Sequence, residues 1–311
     1  MGYFYFALAG LFWSVIGFFT TNLSRFGLST QEISFLRLFI GFLMFMIYVL
    51  IKDPSLLKIS KKGLFFSVAI GLLCQGLFNF CYVSSIKYGG SAVAAVLLYT
   101  SPIFLTIFSK TFYKEKINKS KILSLIVCLV ATFLAVTGGS LKLQNISTLG
   151  IISGIIAAIL YALMPILSKN ILDEVNNLTL MIYSFLIGSI VFIPSIDFIK
   201  VCVSIIDISI LPYIIGFGLF TCAFAYMFYT KGVQSGVELS VAGVIASVEL
   251  VFAQIIGWTI MGEPFNLIKI FGICLMMVSA VIAIKGINRI PNESYEQSNV
   301  DLSYSSVANH I

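Results

Sequence analysis

The sequence predicts an all-α integral membrane protein of ten transmembrane helices, arranged as two inverted five-helix repeats. Three observations carry that expectation. The chain of 311 residues is 59% hydrophobic and only 10% charged, and its mean hydropathy of +1.05 is more than the surface of a water-soluble protein of this length carries. Stretches apolar enough to cross a bilayer follow one another almost without pause from Gly2 to Lys285. Residues of the first half also recur in the second at an offset of about 148, a distance that equals five spans.

A helix needs roughly 20 apolar residues to cross the hydrocarbon core. Windows of that kind lie at 3–23, 32–51, 64–86, 90–110, 121–138, 148–169, 178–195, 209–230, 239–260 and 267–286. The first opens MGYFYFALAGLFW, without a basic leader or a small-residue cleavage site, and is expected to stay in place as a helix. Turn and charge clusters separate the windows: Lys52-Asp53-Pro54, Lys58 through Gly63, Asn118-Lys119-Ser120 and Asp173-Glu174. The final stretch, PNESYEQSNVDLSYSSVANHI, is polar with few large apolar groups, so residues 287–311 are expected to form a disordered cytoplasmic tail.

Ten spans put both termini on one side, which sorts the basic residues. Thirteen fall with the termini: Lys52, Lys58, Lys61, Lys62, Lys110, Lys114, Lys116, Lys119, Lys121, Lys169, Lys231, Lys285 and Arg289. Arg25, Lys87, Lys142, Lys200 and Lys269 fall opposite, and Arg37 lies inside the second span. By the positive-inside rule both termini are cytoplasmic in a multi-pass plasma (inner) membrane protein. The net charge of +6 therefore reads as membrane topology, with no nucleic-acid partner implied. Six cysteines occur singly, with no CxxC pair, and are expected as small buried side chains without a metal or disulfide role.

At an offset of 148, Glu115 falls on Glu263, Trp13 on Tyr161, Gly10 on Ala158 and Asn22 on Asn170. At 147, Gly41, Gly71, Tyr82 and Gly89 fall on Gly188, Gly218, Tyr229 and Gly236. The halves are accordingly expected at 1–140 and 148–286. Five is odd, so the second copy enters the membrane from the other side, the arrangement of alternating-access carriers whose substrate sits near the midplane between halves.

Candidate residues follow from depth and helical face. Glu249 lies near the middle of the ninth span, where an ionised carboxylate is costly unless paired, hydrated or protonated. Gly243, Ala246, Ala253 and Gly257 share its face, which should pack inward. It is the candidate for coupling to protons or for receiving a cationic group, and its other reading is a structural hydrogen bond. Gln75, Asn79 and Tyr82 form one stripe of the third span, and Cys222, Tyr226 and Tyr229 the matching stripe of the eighth. These stripes build either a shared cavity or interhelical hydrogen bonds. Tyr99 with Pro102, and Tyr161 with Pro165, place aromatic walls beside candidate hinges. Trp13 is a further wall residue or an ordinary packing group. Arg37 is expected to snorkel or pair, with a ligand role as its other reading, and Glu115 and Glu263 to pair at helix ends with a loop Lys or Arg.

The segments SAVAAVLLYTSPIFLTIFSKTFYKEKI and LSVAGVIASVELVFAQIIGWTIMGEPF both resemble the fourth-helix motif of the EamA family in the drug/metabolite transporter superfamily. The resemblance covers residues 3–286, and Trp13 and Arg37 fall where that family often has them. Leu250 departs from it, standing where a Pro is common. The resemblance implies ten helices in two inverted repeats, and transport of amino acids, nucleotide-related metabolites or drugs. An intramembrane enzyme is excluded by want of chemistry: the one His is His310 and no Asp lies well inside a span. No Walker motif is present, so transport is facilitative or gradient-coupled. The expected function is a secondary transporter of a small metabolite, foremost an amino acid moving outward, with Glu249 suited to an amino group. The alternatives are an exporter of organic cations or drugs, and a channel or non-transporting assembly protein. The expected partners are a small-molecule substrate, the lipid bilayer, protons as a candidate coupling ion and a second copy as a compatible homodimer, with no cofactor and no metal.

Overall fold

The computed structural model describes residues 1–140 and 147–287, and ten of its helices are long and apolar enough to span a membrane. They are α1 (Gly2–Arg25), α2 (Thr30–Lys52), α3 (Lys61–Gly89), α4 (Ser91–Tyr113), α5 (Lys119–Thr137), α6 (Thr148–Lys169), α7 (Asn177–Ser195), α8 (Leu211–Gln234), α9 (Leu239–Thr259) and α10 (Leu267–Lys285). Each expected window holds one. Apart from Ile287, the expected tail lies outside the described residues.

Both ends of the bundle's chain meet on one side. Gly2 lies against Ser235, Glu238 N donates to Tyr3 Oη at 3.2 Å, and Asn118 Nδ2 donates to Gly286 O at 2.7 Å. This side is called the terminal end below. At the opposite end, Ser29 and Glu32 cap α2 reciprocally, Glu32 N donating to Ser29 Oγ at 3.3 Å and Ser29 N to Glu32 Oε2 at 2.6 Å. Glu32 also meets Asp197 N at 3.3 Å and Lys200 Nζ at 3.5 Å. That ties the α1–α2 connection to the α7–α8 connection. The latter holds a surface helix, Phe198–Ile206, which exposes Phe198, Ile199, Val203 and Ile206 while burying Val201 and Ser204. Its length suits the membrane interface and is too short to cross.

A core of fully buried side chains lies between α2, α7 and α8, with Leu36, Leu38, Ile182, Phe185 and Ile214. Large apolar residues such as Phe65, Phe80, Ile126 and Phe271 face outward, as lipid-facing surfaces require. Among the cysteines, Cys74, Cys81, Cys128 and Cys222 are buried, but Cys274 is exposed, as is Cys202. The expectation of burial fails for Cys274 because α10 turns that side chain away from α5. The α5–α10 pair closes through glycine: a Cβ on Gly272 would fall 2.4 Å from Ala135 N, so the two backbones touch. Gly272→Val is expected to destabilise the bundle by about 3 kcal/mol or more by forcing them apart. The loss is read as folded yield and thermal midpoint in detergent.

Three spans are interrupted near mid-membrane. α1 breaks at Ser14–Val15 between Gly2–Trp13 and Ile16–Arg25. α4 breaks at Tyr99–Thr100 into α4a (Ser91–Leu98) and α4b (Ser101–Tyr113). α9 breaks at Ser247–Val248 into α9a (Leu239–Ala246) and α9b (Glu249–Thr259), and these two breaks stand 148 residues apart. At every break a hydroxyl returns to a carbonyl of the preceding turn: Ser14 to Leu11 O at 2.6 Å, Thr100 to Leu97 O at 2.6 Å, Ser247 to Gly243 O at 3.1 Å. Such back-bonding competes with the helical ladder and bends it. Pro102, beside the α4 break, adds a missing donor. α9 breaks without a proline, although Leu250 stands where one is common in similar chains.

Candidate functional site

The three breaks converge on one cavity of about 200 Å³. Trp13 closes the first half of α1, Tyr99 sits in the α4 break, and Ser247 and Glu249 flank the α9 break; all four line the cavity. Gly10 lets α1 approach: a Cβ there would fall 2.9 Å from Ala246 O. The remaining walls come from Asn79 and Tyr82 of α3, Tyr161 and Pro165 of α6, Tyr226 and Tyr229 of α8, Pro102 of α4b and Arg37 of α2.

Two spans widen locally to i→i+5 hydrogen bonding where they pass the site, at Ile70–Leu77 in α3 and Leu219–Phe224 in α8. Such bulges rotate side chains and free backbone acceptors. The Trp13 indole takes one of those, donating from Nε1 to Thr221 O at 3.2 Å. That holds its ring against Tyr226 at 5.4 Å and Tyr229 at 5.3 Å between centroids, with Tyr161 at 6.3 Å. Trp13 and Tyr161, which the 148 offset pairs, thus meet across the site. Phe78 extends the wall, stacked on Tyr82 at 6.0 Å and tilted against Tyr161 at 5.7 Å.

Of the residues singled out from sequence, Trp13, Asn79, Tyr82, Tyr99, Tyr161, Tyr226, Tyr229 and Glu249 line the cavity, with Pro102 and Pro165. Gln75 does not. It is 1% exposed and lies behind the wall, where its Nε2 donates to Tyr226 Oη at 2.9 Å. The bulge turns it out of the Asn79–Tyr82 stripe, so it positions Tyr226 from the rear. Asn79 Nδ2 donates to Gln75 O at 2.6 Å, leaving its carbonyl oxygen to the cavity. Gln75→Leu is expected to lower stability by about 1 kcal/mol, the usual worth of one interhelical hydrogen bond in a membrane, read as a reduced thermal midpoint.

Two ionisable side chains face this space. Glu249 is the first residue of α9b, so its carboxylate stands at the positive end of a helix dipole. Arg37 was expected to snorkel or to pair. It does neither: it is 9% exposed and lines the same cavity, its guanidinium 5.9 Å from the Phe217 ring. Arg37 and Glu249 both line the cavity, yet among the described residues they form no ion pair. Neither side chain has a hydrogen-bond or ion-pair partner among the described residues. Depth along α2 was legible, but which face Arg37 takes depended on the crossing of α2 over α8, where Cys222 Sγ meets Arg37 O at 3.4 Å. Ser101 and Ser247, also lining residues, went unnoticed, although the 148 offset places Ser101 on Glu249. No group of three His, Cys, Asp or Glu able to hold a metal is present among the described residues.

The profile of the EamA-like transporter family matches residues 1–137 and again 148–285 of this chain. An uncharacterized transporter of Archaeoglobus fulgidus is 25% identical over 280 residues, covering 89% of this chain and 93% of that protein. The uncharacterized transporter YetK of Bacillus subtilis is 24% identical over 251 residues, covering 78% of this chain and 74% of its own. A solved crystal structure superposes with a TM-score of 0.72 at 15% identity, over 91% of this chain and 96% of the other, a likeness that speaks to the fold.

Proposed function

Since this chain belongs to the EamA-like transporter family, we propose that it is a secondary transporter carrying a small zwitterionic metabolite, an amino acid or close relative, outward by alternating access. The observation that carries the proposal is the pair of ionisable side chains, Glu249 and Arg37, on one aromatic-walled cavity, neither with a hydrogen-bond or ion-pair partner among the described residues. A charge inside a membrane bundle is costly until something opposite meets it. An α-amino acid brings both complements: its ammonium to Glu249 and its carboxylate to Arg37, whose planar fork suits a carboxylate. Trp13, Tyr161, Tyr226 and Tyr229 then wall the side chain and favour an apolar or aromatic one. The cavity of about 200 Å³ is smaller than the roughly 300–1,000 Å³ of drug-sized pockets. An organic cation, the second reading, uses Glu249 but leaves Arg37 with its charge unanswered.

The mechanism rests on halves at 1–140 and 148–286 related by inversion. The double match of the family profile and the α4 and α9 breaks 148 residues apart support it. Broken spans whose half-helix ends face a midplane site are a recurrent carrier design. Glu249 binds either the substrate's ammonium or a proton, which makes protons the coupling ion in this reading. The basic residues gathered at the terminal end support a reading in which both termini are cytoplasmic and the membrane is the plasma membrane.

Untargeted mass spectrometry of medium and cytoplasm tests the cargo in cells carrying the wild type, Glu249→Gln or an empty vector. One class of amino-bearing zwitterions should leave the cytoplasm with wild type alone. A shift confined to permanent cations, or one that survives Glu249→Gln, overturns the assignment.

A further inference from the structure

The two glutamates at the ends of α4 and α9 are presented by the same local geometry and yet hold different partners. Lys114 ends α4 at φ 54° and Gly262 ends α9 at φ 71°. In each case the following amide closes the turn, Glu115 N to Ser109 O at 3.3 Å and Glu263 N to Gly257 O at 2.9 Å. At the terminal end the Glu115 carboxylate crosses to the other half and caps α9a. It accepts from Leu239 N at 2.7 Å, Ser240 N at 3.1 Å and Ser240 Oγ at 2.6 Å. A buried lysine reinforces the crossing, Lys121 Nζ meeting Glu238 Oε1 at 3.1 Å. At the opposite end Glu263 stays within its own half, with Gln254 Nε2 at 3.3 Å and Lys269 Nζ at 3.5 Å. The segment that corresponds to α9a is α4a, 148 residues earlier; it starts at Gly90–Ser91, and no described side chain caps it.

Packing follows the same division. α9a is buried at all of its residues but Gly243, and α4b lies against it through Pro102 and Leu105. α4a and α9b bury only Ala94 and Gly257. α4 and α9 are therefore clamped together at the terminal end and loosely packed at the other.

We propose that Glu115 and Glu263 are the two latches of the transport cycle: Glu115 caps α9a to hold the terminal end shut, and Glu263 caps α4a when the opposite end shuts. The inference rests on the alternating-access reading above. A carboxylate at the first amides of a helix satisfies donors that otherwise lack partners and meets the favourable end of the dipole. Each latch is thus worth enough to hold an end and little enough to release it. The latches are unequal. Lys121 has Glu238 across the terminal end, whereas the equivalent Lys269 meets Glu263 of its own half, and the position matching Glu238 is Gly90, which offers no carboxylate. The resting protein favours the terminal end closed.

The test reads conformation, without substrate, by spin-label distances in lipid nanodiscs. The exposed Cys202 and Cys274 are replaced by Ser, and labels are placed at Thr111 and Ser235 for the terminal end and at Lys87 and Ile260 for the opposite end. In the parent protein the terminal pair should be short and the opposite pair long. Glu115→Gln, which loses the charge-assisted bonds, should move the ratio of the two conformers about tenfold toward an open terminal end and a shortened opposite pair. Adding Glu263→Gln should remove that shortened population, while Glu263→Gln alone leaves the parent distribution. Distances unchanged by Glu115→Gln, or a shortened opposite pair that survives Glu263→Gln, overturn the proposal. If Glu115→Gln does not fold, Ser240→Ala should shift the same distances less far in the same direction, and no shift overturns it equally. Because no cargo is present, a wrong substrate leaves this result standing, and a failed latch leaves the cargo assay standing.

Discussion

Glu249→Gln is expected to lower transport of the amino-bearing substrate by about 100-fold or more while leaving the protein as stable as before, or more stable. Removing one member of a buried charge pair costs roughly 3–5 kcal/mol, and each ~1.4 kcal/mol is tenfold. Here that loss falls on the bound complex, because in the empty protein Glu249 has no hydrogen-bonding partner among the described residues. The empty protein gives up no hydrogen bond or ion pair with the substitution, and a neutral amide is no costlier to bury than a carboxyl group, so function is lost without loss of stability. The pair of readouts separates the two readings of this residue. A carboxylate serving as a structural hydrogen-bond group would lower the thermal midpoint when amidated, with transport falling in step. A functional one drops transport at an unchanged or raised midpoint.

Arg37→Met should have the second largest effect, and its selectivity is the informative part. Met keeps the apolar length of the stem while removing the fork. Transport of an α-amino acid should fall about 100-fold, by the same argument about an unanswered buried charge. Transport or competition by the matching amine, which lacks the carboxylate, should fall far less and become the preferred activity. Competition assays with amine and amino acid of the same side chain measure this directly. Equal losses for both would mean that Arg37 serves the bundle rather than the carboxylate.

What sequence reasoning reached and what it missed divide along physical lines. Spans were legible because bilayer thickness sets their length and composition, so each of the ten apolar windows holds one of the ten helices. The stripe of Asn79 and Tyr82 and the matching Tyr226 and Tyr229 were legible because residues three and four apart share a helical face. Gln75 was misplaced since a widened turn at Ile70–Leu77 breaks that periodicity, and hydropathy carries no mark of it. The α9 break is marked only by the Ser247 hydroxyl turned back to Gly243 O, which in sequence is one serine among many. Arg37 shows its depth in the sequence but takes its facing from tertiary crossing. Glu115 and Glu263, which fall on one another at the 148 offset, read in sequence as loop ion pairs. Glu263 does meet Lys269, whereas Glu115 caps a helix of the other half, a partner 124 and 125 residues away that no local pattern announces.

Exchange in proteoliposomes bears most directly on the claim that one cavity, with Glu249 and Arg37 at its charged positions, carries a zwitterionic metabolite. Vesicles holding the wild type, Glu249→Gln, Arg37→Met or no protein are loaded with an unlabelled amino-acid mixture and offered a labelled one. Saturable exchange by the wild type, lost in both variants, with the Arg37 variant still accepting the corresponding amine, is the predicted result. Amino-acid exchange no faster than in protein-free vesicles, together with uptake of a permanent organic cation that Arg37→Met leaves untouched, would contradict it.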